Sequence, residues 1–384
     1  MNFSDSVRYI GVNDHLTDLF EGQYPVPGGM SYNSYVILDE KVAVTDTVDA
    51  RFAGEWLLKL EEALEGRQPD YLVVHHMEPD HSACIAAFAE KYPAAVLVAS
   101  AKAFVMMKQF FGCDFAARRL VVKEGDTLPL GAHTLSFIAA PMVHWPEVLL
   151  SYETSEKLLF SADAFGKFGA LDCAEPWDGE ARRYYTGIVG KYGAQVQALL
   201  KKAAAREICA ILPLHGPCLT DTIPHCVSLY DTWSSYRPEE RGVAVVCASV
   251  YGATRAAALT LADTLREKGE TVAFFDLTRC DMSAAVAAAF RFDALVLASV
   301  TYNGELFPCM RAYLSALTER GFRSRTVARI ENGSWAPQAA MRMEKQLAEA
   351  KDITFTEHSV RIFSAPDEES RAQLDALAAE LCAR

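Results

Sequence analysis

Between Tyr71 and Cys84 the chain reads YLVVHHMEPDHSAC, and residues 75–81 hold three histidines, a glutamate and an aspartate. Imidazoles and carboxylates are the side chains that bind first-row transition metals, and loops that close over the end of a strand are where such groups gather. The apolar run from Leu72 to Val74 reads as that strand. In the pattern His76-x-Glu78-x-Asp80-His81, positions 76, 78 and 80 alternate as on an extended segment, so their side chains can converge. His75 then points the other way and reads as structural support. Three further candidates stand just past other apolar runs: His144 after LSFIAAPMV, Asp163 after KLLFSA and His215 after EICAILPL. A lone histidine at a strand end is ordinarily a hydrogen-bonded polar residue, the reading taken for His15, His133, His225 and His358. The remaining seven groups, four imidazoles and three carboxylates, suit two metal ions that share a bridging carboxylate.

These donors need a frame, and the first 235 or so residues supply short strands with helices between them. SYNSYVILDEKVAVTDTV reads as a hairpin turning at Asp39-Glu40, and YLVVHH, AAVLVAS, HTLSFIAAP, EVLLSYETSEKLLFSAD and EICAILPLHG read as further strands. Helices are expected over ARFAGEWLLKLEEAL, HSACIAAFAEKY and ARRYYTGIVGKYGAQVQALLKKAA, giving sheets covered by helices. Ser234 to Glu240 is a polar connector with a proline, and after it strands and helices alternate strictly, as in a doubly wound parallel sheet. With 384 residues, 51% of them hydrophobic, the chain can bury two cores. The net charge of −13 argues against nucleic acid or an anionic membrane as partner, and no apolar window suits a transmembrane helix. The N-terminus is unlike a secretory signal, so the cytoplasm is the expected location. Ten dispersed cysteines without C-x-x-C spacing read as small buried residues, with no disulfide, zinc ribbon or thiolate iron site expected.

The second half carries a different kind of site. CASVYGATRAAAL runs from strand to helix, and Ser249, Val250, Tyr251, Gly252, Ala253 and Thr254 offer hydroxyls and backbone N–H groups at a helix start, which suits a phosphate. The stretch has neither the Gly-Lys-Ser/Thr of a Walker loop nor a G-x-G-x-x-G. Two more loops follow later strands: Thr301, Tyr302, Asn303 and Gly304, then Asn332, Gly333, Ser334 and Trp335. Three loops at successive strand ends form the crevice in which flavodoxin-like sheets bind FMN. Tyr302 and Trp335 are candidates to stack on the ring.

The histidine–carboxylate pattern resembles that of the metallo-β-lactamase superfold, whose hydrolases carry His-x-His-x-Asp-His. Glu78 stands here in place of the second histidine, and a carboxylate makes the site harder and more anionic, favouring iron over zinc. His144, Asp163 and His215 follow in order, with 62, 18 and 51 residues intervening. With the flavodoxin-like loops behind them, the chain resembles the flavodiiron proteins over essentially its whole length. It departs from them at Val300, where a proline is common, at Ala253, where an asparagine is common, and in ENGSW, which replaces a more glycine-rich loop.

The resemblance implies an α/β protein: a metallo-β-lactamase-like αββα sandwich over residues 1–238, then a flavodoxin-like doubly wound parallel sheet over residues 241–384. One iron would be held by His76, Glu78 and His144, the other by Asp80, His81 and His215, with Asp163 bridging; members of the family differ in whether the imidazole at the place of His81 coordinates. It implies reduction of O2 to water and/or NO to N2O, with electrons passing through FMN from an external protein such as rubredoxin, since no rubredoxin-like C-x-x-C pairs are present. It further implies a head-to-tail homodimer or a dimer of dimers, with Trp145 and Tyr32 candidates for the wall of the gas pocket. Two rival readings remain: a binuclear zinc hydrolase with an accessory flavodoxin domain, against which Glu78 argues, and an electron carrier whose first domain is only scaffold, against which the seven chelators argue.

Overall fold

The computed structural model describes residues 3–384; residues 1 and 2, with which the first expected domain begins, lie outside them. The chain divides into two units. One runs up to Tyr185 and resumes over Ala194–Asp231; the other comprises Thr186–Gly193 and Thr232–Arg384.

Among the described residues, the first unit is built on a six-stranded and a five-stranded sheet. The larger begins with Val7–Tyr9, antiparallel to Tyr35–Ile37, which forms the expected hairpin by pairing antiparallel with Ala43–Thr45. Tyr71–Val73 then adds in parallel, and Val96–Ala99 and Arg119–Val121 follow, also in parallel. The smaller sheet runs Thr127–Pro129, Thr134–Ala139, Leu149–Glu153, Leu158–Phe160 and Ala210–Leu212. Val7, Ile37, Val73 and Val98 of the first sheet share a buried core with Phe137, Leu149, Phe160 and Leu212 of the second. Two sheets meeting through interdigitated apolar faces make the inner layers of a sandwich. Helix Ala53–Leu64 covers one side, burying Trp56, Leu60 and Leu64 at helical spacing, and the Trp56 indole N–H donates to the Ser34 hydroxyl at 3.0 Å.

The long helix expected over residues 181–204 is broken. An α-helix over Trp177–Tyr184 passes into a π-turn over Tyr185–Val189 and a 3-10 turn at Gly190–Tyr192, and α-helix resumes at Gly193–Ala203. Gly187, Gly190 and Gly193 weaken this stretch, since glycine favours helix least after proline. The Tyr236 hydroxyl donates to the Gly190 carbonyl at 2.9 Å and accepts from the Gly193 N–H at 3.3 Å. A side chain on Gly193 would run into the Ser234 carbonyl, 2.3 Å from its Cβ position.

In the second unit the parallel strand order is Val272–Asp276, Glu240–Ala248, Phe292–Tyr302, Arg325–Asn332 and Ile353–Phe355, the 2-1-3-4-5 order of flavodoxin-like sheets. Val360–Ile362 continues the last position beside Arg325–Asn332. Helices cover both faces. Ala253–Glu267 and Glu368–Ala383 bury Leu261, Leu265, Leu377 and Leu381 on one side. Met282–Arg291, Pro308–Glu319 and Ala339–Leu347 bury Phe290, Leu314 and Leu347 on the other. The closing helix adds a capping box at Asp367 and Ser370 to the elements read from sequence.

Candidate metal centre

Four loops, each leaving the C-terminal end of a strand in the first unit, bring the seven expected donors together. The loop after Tyr71–Val73 carries four of them. Expected to be extended through position 80, it is extended only to Glu78 (φ −61°, ψ 138°). Pro79 then opens a helical turn over Pro79–Ser82, which proline's fixed φ favours at a first helical position. The turn separates Asp80 and His81 from His76 and Glu78. The loop after Thr134–Ala139 supplies His144, that after Leu158–Phe160 supplies Asp163, and that after Ala210–Leu212 supplies His215. Ala162 and Phe165, flanking Asp163, hold left-handed backbone (φ 50° and 68°), strain of the kind that collects at functional loops.

The donors form two groups. His76, Glu78, His144 and Asp163 make one; Asp80, His81 and His215 make the other. In the first, His76 Nε2 lies 3.3 Å from Glu78 Oε2 and 3.1 Å from Asp163 Oδ2, and His144 Nε2 lies 3.0 and 3.1 Å from the same two oxygens. In the second, His81 Nε2 is 2.9 Å from His215 Nε2 and 3.2 Å from Asp80 Oδ2. The other Asp163 oxygen, Oδ1, faces this group, 3.5 Å from His81 Nε2 and 3.6 Å from His215 Nε2. Donors about 2.1 Å from a metal stand about 3.0–3.4 Å apart along the edges of an octahedron or tetrahedron. The separations in the first group fall in that range, and those in the second lie close to it.

The residues fit two cations on a second count. Asp80 Oδ1 and Oδ2, Asp163 Oδ1 and His81 Nδ1 are buried without a hydrogen-bond partner among the described residues. Burying polar atoms unsatisfied is costly unless a ligand satisfies them. Burial by itself would lower the histidine pKa values, yet the surrounding carboxylates overcome it: Asp80 and Asp163 push His81 up to about 10, and hydrogen bonding to Asp163 and Glu78 pushes His144 up to about 9. This anionic field favours cations among the donors.

Groups that sequence reasoning did not single out orient the ligands. The His76 Nδ1–H donates to Glu147 Oε1 at 2.8 Å, and the same oxygen accepts the Met77 N–H at 2.9 Å. The His215 Nδ1–H donates to the Ser31 carbonyl at 2.7 Å. Each bond leaves the ring's Nε2 lone pair facing the centre. Glu147 stands three residues past His144 and could be found only through the fold; its spacing from His76 carries no local signal. His75 turns away, as expected, and bonds to Asp46 and to the Ser151 hydroxyl. His133, His225 and His358 pair with Asp39, Asp178 and Glu380.

Trp145 meets His76 edge-to-face at 5.2 Å, and Tyr32, Phe20 and Tyr184 stand 5.9, 5.4 and 5.4 Å from His215. Beside this wall a cavity of about 220 Å³ reaches Glu78 and Asp80, lined also by Glu21, Tyr32 and Arg51. Glu21 is a further missed residue: burial, then the Glu78 charge, pushes its carboxyl up to about 7. Arg51 pairs with Asp14, which also accepts from the Tyr32 hydroxyl at 3.0 Å.

The three loops of the second unit lie at the C-terminal ends of Glu240–Ala248, Phe292–Tyr302 and Arg325–Asn332. Gly252 has φ 96°, a conformation that suits glycine, and helix Ala253–Glu267 begins behind it with no side-chain cap. Its first N–H groups therefore face an incoming anion. Ser249 bonds to the Gly252 N–H at 3.1 Å, and Thr254 is buried. Val250 and Tyr302 are part-exposed, while Tyr251 and Trp335 stand 100% and 82% exposed, flat surfaces that a planar ring would cover. Thr301 is occupied within the fold: its hydroxyl accepts the Gln338 and Ala339 N–H groups at the start of the next helix. Asn303 and Gly304 form the two-residue turn of a hairpin, both with positive φ. Asn332 is tied to the Ser364 backbone and Ser334 to the Ser364 hydroxyl, and Gly333 N–H bonds to the Ile362 carbonyl. This brings a fourth loop, Phe363 to Ala365, beside the third. No sequence signal marked it.

Fold and centre together define a metallo-β-lactamase-like domain carrying a dinuclear donor set, joined to a flavodoxin-like domain. Residues 30–216 match the family model described as ODP family beta lactamase. The anaerobic nitric oxide reductase flavorubredoxin of Aliivibrio salmonicida is 28% identical over 365 residues, 91% of this chain and 72% of that protein. The rubredoxin oxygen:oxidoreductase from Desulfovibrio gigas superposes with a TM-score of 0.93 at 25% identity, covering 100% of this chain and 98% of the other. The flavodiiron protein from Giardia intestinalis gives 0.91 at 28% identity, covering 99% and 97%. These relatives and structural neighbours are flavodiiron proteins, and the likeness to them extends over essentially the whole chain.

Proposed function

We propose that this protein is an FMN-dependent oxidoreductase that reduces O2 to water and/or NO to N2O at a non-haem di-iron centre. The observation that carries the reading is the Asp163 carboxylate, with one oxygen turned to each donor group. When bound, the iron pair supplies positions at which a diatomic gas can be reduced, and the flavin supplies the electrons. His76, Glu78 and His144 would hold one iron and Asp80, His81 and His215 the other, with the Asp163 carboxylate available to both. Glu147 and the Ser31 carbonyl fix the tautomers of His76 and His215. Trp145, Tyr32, Phe20 and Tyr184 keep bulk water from the donors, which strengthens every charge interaction among them. Glu78 disfavours the zinc-hydrolase reading, because a third carboxylate among the donors raises the negative charge that iron tolerates well.

In the second unit, the helix start behind Gly252 would hold the FMN phosphate, and the exposed Tyr251, Tyr302 and Trp335 would border the ring. The domains divide near residue 240, the electron donor is a separate protein such as rubredoxin, and the working form is a head-to-tail homodimer or a dimer of dimers. No helix among the described residues is long and apolar enough to cross a membrane, in keeping with a cytoplasmic enzyme.

Metal analysis and a visible spectrum of the purified protein, followed by stopped-flow oxidation of the reduced protein with O2 and with NO, test the proposal. Two irons and one flavin per chain with rapid oxidation are expected; zinc in place of iron, or no yellow chromophore, overturns it.

A further inference from the structure

A third group of ligating side chains lies apart from the dinuclear centre. His15, Asp172 and Cys173 each offer one donor atom, and these atoms all lie within 4.8 Å of one another. His15 Nε2 is 3.1 Å from Asp172 Oδ2, and about half of each side chain is open to water. None of the three contacts the seven donors already described. Cys173 has no cysteine near it in sequence, so its partner donor from 158 residues upstream becomes visible only in the fold.

The three positions are held by backbone. The Leu171 N–H donates to the Asn13 side-chain carbonyl at 3.0 Å, two residues before His15. The Ala170 N–H donates to the Gly28 carbonyl at 2.9 Å, and the Cys173 thiol turns to that same carbonyl at 3.2 Å. Gly29 has φ 70°, and a Cβ there would stand 3.2 Å from His15 Nδ1 and 2.2 Å from the Asp14 carbonyl, so glycine lets the imidazole segment close against the turn. These contacts hold the two chain segments side by side, so a cation need only draw in the His15 and Asp172 side chains rather than order further chain.

We propose that His15, Asp172 and Cys173 form a separate mononuclear site for a divalent cation of the zinc class. One nitrogen, one carboxylate oxygen and one sulfur make a borderline-to-soft donor set, which selects Zn2+ over Mg2+ or Ca2+. The exposed side leaves at least one position to water. On binding, the sulfur–metal bond replaces the Cys173 S–H bond and the proton leaves to solvent, so affinity rises with pH. The cation also ties residue 15 to residues 172 and 173. Residue 15 begins the segment that places Leu19, Phe20 and Glu21 in the wall of the cavity beside Glu78 and Asp80. An occupied site therefore restrains that wall.

The test uses the iron- and flavin-loaded protein. Titration with Co2+ is expected to give one added equivalent with thiolate-to-cobalt charge-transfer absorption, and Zn2+ is expected to displace it. Cys173→Ser is expected to remove the absorption, and both Cys173→Ser and His15→Gln to weaken binding by at least about tenfold. Both variants keep the iron content and the turnover of the wild type without added metal. In hydrogen exchange, Zn2+ slows the amides of residues 16–24 in the wild type and not in Cys173→Ser. Absorption that survives in Cys173→Ser, as from the exposed Cys113 or Cys209, overturns the site. Zn2+ saturation with unchanged exchange overturns the restraint on the cavity wall.

Discussion

The dinuclear donor set and the proposed flavin site are built in opposite ways. The first is a constellation of side chains: His76, His81, Asp163 and His215 are each at most 1% exposed, and every donor faces another donor. The second is a surface of loop backbone. Its helix start, its Asn303-Gly304 turn and its exposed Tyr251 and Trp335 stand at strand ends, while Thr301, Asn332 and Ser334 spend their side chains on holding neighbouring loops. A side-chain site ties its chemistry to residue identity. A backbone site ties it to conformation, which several sequences can adopt. Ala253 and Val300, departures from the family pattern, sit in the second kind of site and leave the helix start and the strand intact.

The comparison can be broken most sharply at Asp163. Asp163→Asn is expected to lower O2 and NO turnover by more than about a hundredfold and to leave less than one iron per chain, because both donor groups lose a shared charged ligand. Flavin content should remain that of the wild type, and metal analysis beside the flavin absorbance reads both; loss of both cofactors together would mean that the two sites do not behave as separate constructions. Next comes the support of a single ligand. Glu147→Ala should weaken iron binding about 10–100-fold, measured by chelator competition, whereas Glu147→Gln, which still accepts from the His76 Nδ1–H, should recover part of the loss.

On the flavin side the sensitive position has no functional side chain at all. A Cβ at Gly252 would meet nothing within 4 Å, so the penalty of Gly252→Val is chiefly conformational. Forcing a β-branched residue to positive φ costs about 1–2 kcal/mol, roughly tenfold in FMN affinity by fluorescence titration, with iron content unaltered. Unchanged FMN affinity would show that the loop conformation is not what holds the cofactor.

The smallest effect lies outside both sites. Burial lowers the His133 pKa, but hydrogen bonds to Asp39 and Glu156 outweigh it and raise the value overall. A raised histidine pKa contributes stability that is fully present below the unfolded value and is lost as pH rises through the folded one. The melting-temperature difference between wild type and His133→Gln should therefore shrink from mildly acidic to mildly alkaline pH; a difference that grows would reverse the assignment.

Much of the dinuclear centre was legible because metal chemistry restricts residue type, and strand ends restrict where such residues gather. His76, Glu78, Asp80 and His81 announce themselves within one short loop, and Glu78 by itself separates the iron reading from the zinc one. Glu147, Glu21 and the Ser31 carbonyl were not legible, because a carboxylate in a loop or a backbone carbonyl has no type-specific spacing to betray it. The flavin loops were legible as places, through strand and helix alternation, and less so as contacts. Thr301, read as a ligand-facing hydroxyl, accepts the Gln338 and Ala339 N–H groups within the fold, and the loop at Ser364 lay outside every motif.

From residue types and order alone came the two-part α/β organisation, the seven candidate donors and the phosphate-suited helix start. The tertiary structure decided how the donors divide. Residues 78 and 80 belong to different groups because Pro79 begins a helical turn between them, and Asp163 faces both because its two oxygens diverge from one strained loop. Sequence carries the chemistry of each side chain, but which donors share an ion depends on angles and distances that only the folded backbone sets.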